Sequence, residues 1–204
     1  MKHIAVALAV LAGTTSLASV TFAAGSTGGR GNPSTTPAVT QDVGGYWEYG
    51  AWRVSVDVVD TGEDVRRSCR ASTGGDGDPV VEVFISNGDA GPPYAYPSVV
   101  VNESAPRGHI TYMKDKQQAY VWFDDEDTID GQVTAYHDDE GIPQADLAFH
   151  SPKSQWVLQA MRRNGQMDVV VDHKVFFTAF LDGFTASYLK MMEQCGFDGT
   201  GVVN

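Results

Sequence analysis

The sequence predicts a β-rich α+β domain, with about seven or eight mostly antiparallel strands in a sandwich or open barrel and two helices near the C-terminus. Three observations predict it. Trp52, Val54, Val56 and Val58 alternate with Arg53, Ser55 and Asp57, the period of two that a half-buried strand needs. Short runs of the same kind recur between turns rich in Gly, Asp and Asn. Two late segments instead space their apolar residues as a helix does: Trp156, Val157, Ala160 and Met161, then Phe184, Tyr188, Met191 and Cys195.

The chain opens on a short basic start, Met1-Lys2-His3, then an apolar run from Ile4 to Ala12, then Thr21-Phe22-Ala23. This order predicts a secretory signal peptide over 1–23, cleaved after Ala23. The apolar run is far short of the ~20 residues that a spanning helix requires. No Leu-Xaa-Xaa-Cys lipidation signal follows it, and no other stretch is long and apolar enough to span. The expected location is therefore periplasmic or secreted. Residues 24–45 are rich in Gly, Ser, Thr and Pro and carry almost no large apolar side chains. They are predicted to be a disordered arm, because they bury too little surface to offset chain entropy. A single domain over 46–197 follows, with a frayed tail over 198–204.

Lys and Arg number 14 against 26 Asp and Glu, a formal charge of −12. Removing Lys2 with the signal takes it to −13, since −12 minus one positive charge is −13. That balance argues against nucleic acid and against anionic membrane surfaces, both of which need local positive charge. The two cysteines, Cys69 and Cys195, are predicted to pair, as cysteines of exported chains do. The bridge would staple the last helix onto the start of the fold.

Taken in order, Trp47, Tyr49 and Trp52 crowd the entrance of the domain. The first strand is the Trp52–Val58 alternation. Asp60 to Arg67 is polar and turn-like, Cys69 follows, and 72–78 is a glycine-rich loop. Val80–Ile85 is the next strand. A long turn over 87–93 leads to Tyr94 and Tyr96, then to a short strand at Val99–Val101. His109–Met113 and Gln118–Phe123 are predicted to form a hairpin around Lys114-Asp115-Lys116. Acidic turns at 124–131 and 137–141 bracket a short strand, Gln132–Tyr136. Ser151 as N-cap and Pro152 in the first turn open a helix that Asn164-Gly165 ends. Met167, Val169 and Val171 alternate as a strand, Asp172-His173-Lys174 turns the chain, and Val175–Leu181 returns. The last helix ends at Cys195-Gly196.

Motifs that carry chemistry do not appear. The sequence has no Gly-Xaa-Ser-Xaa-Gly elbow, phosphate loop, His-Glu-Xaa-Xaa-His or Cys-Xaa-Xaa-Cys, and nothing calls for a cofactor. From Glu126, the residues Thr128, Asp130 and Gly131 fit positions three, five and six of a calcium loop. Position twelve is His137, where a bidentate Glu belongs, so the loop is incomplete, with Glu126 and Asp130 as its candidate ligands. His109, His137, His150 and His173 are scattered. Acidic residues are too numerous for any pair to single itself out as a glycosidase pair.

The C-terminal unit carries a resemblance. Trp156-Val157-Leu158-Gln159-Ala160-Met161, the strand led by Gly165, and Phe180-Leu181-Asp182-Gly183-Phe184-Thr185-Ala186-Ser187-Tyr188 resemble the end of the invasion-associated locus B family of small exported proteins. A fainter likeness surrounds Trp52 and Cys69. The chain departs from that family in having two cysteines where the family commonly has four. The resemblance implies a periplasmic or secreted β-rich domain without known catalysis.

These observations favour an exported, non-enzymatic binding or interaction domain for a protein or glycan partner. The candidate surface is the aromatic entrance (Trp47, Tyr49, Trp52) or the loop bearing Tyr94 and Tyr96. Two alternatives stand beside it: a secreted hydrolase with dispersed catalytic residues, and a structural subunit of an extracellular assembly.

Overall fold

The computed structural model describes residues 40–124 and 126–204, with side chains from Gly44 onward. The predicted signal peptide over 1–23 and the predicted arm as far as residue 39 lie outside the described residues. The chain is β-rich, as expected, but has ten strands where about seven or eight were predicted. They form one antiparallel sheet, accompanied by two helices late in the chain.

Five strands run as a meander: β1 (Thr40–Tyr49), β2 (Trp52–Asp60), β3 (Val65–Gly74), β4 (Val80–Ser86) and β5 (Ser98–Ser104). The next three return in reverse order, because β8 (Pro143–Phe149) pairs with β5, then β7 (Thr128–His137), then β6 (Gln118–Phe123). A helix, α1 (Lys153–Arg163), leads to β9 (Gln166–Val171) beside β6, and β10 (Lys174–Phe180) closes the order. The last helix is α2 (Phe184–Gln194).

Alternation decides which face is buried. Trp52, Val54 and Val56 on β2, Val81, Val83 and Ile85 on β4, and Ala145, Leu147 and Phe149 on β8 all enter one core. α2 lies against β1–β4 and α1 against β5 and β8, so the helices cover that same face. β9 is buried on both faces. Val170 is 3% exposed on its outward side, and the hydroxyl of Thr178 satisfies Asp168 beside it at 2.6 Å.

Three strands lie where the predicted pattern was weakest. β1 occupies the end of the predicted arm and the entrance, and its register slips between Val43 and Gly45. β3 runs through residues predicted as a polar turn and the start of a glycine-rich loop, because pairing with β2 and β4 on its two sides overrides its polar sequence. β8 was not predicted. The predicted strand over His109–Met113 is turn instead, and Gln118–Phe123 pairs with β7 and β9. The cause is a side chain: the Glu103 carboxylate accepts the backbone N–H of Tyr112 and, at 2.9 Å, that of Met113, groups a strand partner would otherwise take.

At the ends of elements, local chemistry agrees with sequence in part. Asp172 and His173 have φ of 50° and 61°, the two positive values of a two-residue hairpin turn. Ser151 does not cap α1, whose N-cap is Pro152 without a side-chain bond. α2 starts from Gly183 at φ 88°, where a Cβ would collide with the Tyr49 carbonyl. Cys69 on β3 and Cys195 at the C-terminal end of α2 form a disulfide spanning 126 residues, as predicted. The tail predicted to fray is docked: Val202 is 3% exposed, and Gln159 on α1 donates to the Gly201 carbonyl at 2.7 Å.

Candidate functional site

The predicted aromatic surface divides between core and solvent. Trp52 is 1% exposed and belongs to the core. Trp47 and Tyr49 face inward from β1 and pack against it, with Lys190 of α2 held 4.7 Å from the Trp47 ring centre. The entrance is thus packing, which removes Trp52 as a platform. Tyr96 is half-buried against Gly201, whereas Tyr94 is 87% exposed and stands alone on its turn.

The acidic turn of the incomplete calcium loop is engaged in the fold. Lys153 Nζ pairs with the Asp130 carboxylate at 3.4 Å, and Arg163 with Asp127 at 2.7 Å. Asp124 accepts the backbone N–H groups of Gly165 and Gln166 at 3.1 and 3.2 Å. Among the described residues no three His, Cys, Asp or Glu side chains gather as a metal site needs, and Glu126 and Asp130 join no such group.

The site that the strands do build is a groove of about 610 Å³ on the outward face of β4, β5, β8 and β7. Strand register lays out its rows. Val80, Asn102, Asp146 and Thr134 form one, each opposite the next. Glu82, Val100 and Ala148 form the next, so an apolar step crosses the middle. Phe84 faces Ser98 beyond it, and the hydroxyl of Ser98 meets His150 Nδ1 at 3.0 Å. On the other side a row of Ser104, Gln144 and Tyr136 closes the groove. It separates the groove from a smaller hollow of about 250 Å³ beneath residues 109–115.

A hydrogen-bond network stiffens this wall. Asn102 donates to Asp146 at 2.7 Å and to Gln144 at 3.2 Å. Tyr136 donates to the other Asp146 oxygen at 3.1 Å, and Ser104 to Gln144 at 2.5 Å. Gln144 donates in turn to Asp138 at 3.2 Å. Burial, and then the charge of Asp146, raise the Tyr136 phenol above its usual pKa, so it stays a donor.

Chemically, the groove presents two carboxylates, an amide and phenol network and one Ser–His contact. Ser98 and His150 are the one Ser–His contact of the groove, but a nucleophile also needs its base oriented by a third group. Asp146 lies four residues from His150 along the strand, roughly 13 Å away. Among the described residues no carboxylate bonds the His150 ring. His109, His137 and His173 are exposed elsewhere.

Sequence reasoning missed this groove because its floor is β8. The signal was present: Pro143, Ala145, Leu147 and Phe149 are buried while Gln144, Asp146 and Ala148 alternate outward. Compared with protein-family models, with curated proteins and with solved structures, the chain matches none of them.

Proposed function

We propose that the protein is an exported, non-enzymatic binding domain whose ligand face is the groove across β4, β5, β8 and β7. The observation that carries this is the apolar step of Val100 and Ala148. It is left partly open on a solvent-facing sheet surface, between polar rows already fixed by their own hydrogen bonds. Pockets that bind combine such an apolar floor with a few placed polar groups, mounted on rigid elements. The disulfide is compatible with an oxidising compartment, and among the described residues no helix is long and apolar enough to cross a membrane. The resemblance to the invasion-associated locus B family supports the same exported setting.

Site-specific photocrosslinking tests the reading. A photoreactive amino acid at Val100 is expected to give a discrete adduct in the native envelope, and one at the exposed Trp156 on α1 to give none. Adducts at Trp156 or Tyr94 with none at Val100 would refute the groove.

A further inference from the structure

We infer that the groove takes an extended basic peptide segment of a partner protein, with two cationic side chains flanking an apolar one. The inference rests on the groove being the binding face proposed above. It begins with how the wall uses its hydrogen bonds. Both protons of the Asn102 amide are committed, one to Asp146 and one to Gln144. The Tyr136 hydroxyl is committed to Asp146 and the Ser104 hydroxyl to Gln144. The donors of the wall therefore point into the wall. What remains toward a ligand is acceptor capacity, chiefly the second lone pairs of the two Asp146 oxygens.

Charge points the same way. The partners of Asp146 are neutral amide and phenol groups, so its negative charge is solvated by dipoles and not cancelled. No Lys or Arg lines the groove. Arg70 meets the second carboxylate, Glu82, at 3.6 Å, with its side chain 48% exposed, a contact of small worth that a ligand cation can share. Thr134 and the His150 ring still offer donors along the groove, so hydrogen bonding alone does not choose between a saccharide and a cation. The uncancelled charge of Asp146 does, and it favours a cation with N–H groups.

Geometry sets the spacing. By strand register Glu82 and Asp146 are two strands and two residues apart. That places their Cα atoms roughly 12 Å from each other. In an extended peptide, side chains four residues apart on one face lie about 13 Å apart. A basic residue at each end reaches one carboxylate, and the residue midway between them lies over β5 between Val100 and Asn102, beside the apolar step. The pattern is basic, any, apolar, any, basic. The formal charge of −12 on the whole chain adds long-range attraction for such a segment.

The test is an NMR titration of the ¹⁵N-labelled protein with the peptide acetyl-Lys-Ser-Leu-Ser-Lys-amide. Saturable shifts are expected at the amides of Asn102, Asp146 and Ala148. Asp146→Asn, which keeps the shape, is expected to weaken binding about tenfold. Replacing the peptide's leucine by serine is expected to weaken it severalfold on the unaltered protein, and replacing both lysines by glutamate to abolish it. Undiminished binding of the glutamate peptide, or an Asp146→Asn variant that binds as tightly, overturns the inference. So does spermidine or chitotriose shifting these amides while the basic peptide does not; that result leaves the groove as the binding face. Peptide shifts confined to residues around Tyr94 or α1 overturn both.

Discussion

Trp52 donates its indole N–H to the backbone carbonyl of Phe180 at 3.0 Å, joining residues 128 positions apart. Next to it, the N–H of Ala51 bonds to the carbonyl of Asp182 at 3.1 Å. Together they tie the turn between β1 and β2 to the end of β10, although these strands stand near opposite ends of the sheet order. The Trp52 ring also meets Phe184 of α2 edge-on, with centroids 5.0 Å apart. One side chain thus links both ends of the sheet to the last helix.

Trp52→Phe keeps most of the packing and leaves the Phe180 carbonyl without its donor, which should cost about 1–2 kcal/mol. Trp52→Ala also opens a cavity and should cost about 3–5 kcal/mol. Urea unfolding followed by far-UV circular dichroism reads both as lowered midpoints at similar slope. A Trp52→Ala protein with an unchanged midpoint would contradict the core placement.

The disulfide should matter as much as the tryptophan. In the chain-entropy account a loop of this length contributes about 5 kcal/mol. Replacing both Cys69 and Cys195 by serine is expected to lower the urea midpoint accordingly. Cys69 is fully buried and Cys195 is 4% exposed, so a thiol reductant should open the bridge slowly in native buffer and quickly in urea. Thiol-labelling rates with and without urea check this, and equal rates would count against a buried bridge.

What was legible in the sequence follows from what has a period. β2 reads plainly because its apolar residues alternate without a break, and the turn at Asp172-His173 reads plainly because it separates two apolar runs. Cys69 and Cys195 could be paired by counting. The groove could not be read, because a binding face on a sheet is defined by register between strands. Asp146 faces Asn102 only once β8 is placed beside β5, and those strands are separated by the whole of β6 and β7. Exposure could not be read either. Trp47 and Trp52 fit core packing or a platform in sequence, and α2, more than 130 residues later, covers them and makes them packing. Ser151-Pro152 has the form of a helix cap, yet Pro152 takes the cap position itself.

Asp138 makes the hairpin between β7 and β8 sensitive to acid. The Ile142 backbone N–H, at 2.9 Å, is the chief cause holding its carboxyl below the ordinary value of 3.8, helped by Gln144, the Glu140 N–H and Arg107. A carboxyl depressed in the folded state stabilises above its unfolded pKa, and that contribution is lost as pH falls through the lower folded value. Stability from Asp138 is therefore expected to be complete above about pH 5 and to fade below pH 4. Asp138→Asn should weaken the protein near neutral pH and flatten the decline between pH 4 and 2. Urea midpoints at several pH values test this, and parallel curves for the two proteins would refute it.

The end of the chain offers a separate test, since a frayed segment and a docked one respond differently to removal. Val202 is 3% exposed, within the core cluster. Gln155 and Gln159 donate to the Gly201 carbonyl at 3.2 and 2.7 Å, and Arg162 to the Val202 carbonyl at 3.2 Å. All three donors stand on α1, so the tail fastens that helix after the helix itself is complete. Burying one valine is worth about 1.5–3 kcal/mol, and the hydrogen bonds add to it. Ending the chain after Asp198 should therefore lower stability by about 2–4 kcal/mol, and Val202→Ala by about 1–2 kcal/mol. At this size each kcal/mol shifts the melting temperature by about 2–4 °C, so truncation is expected to show as a drop of roughly 5–15 °C. Calorimetry of the two variants decides the matter: a truncated chain that melts with the full-length protein would mean the last six residues carry no packing energy, and Val202→Ala would then be silent as well.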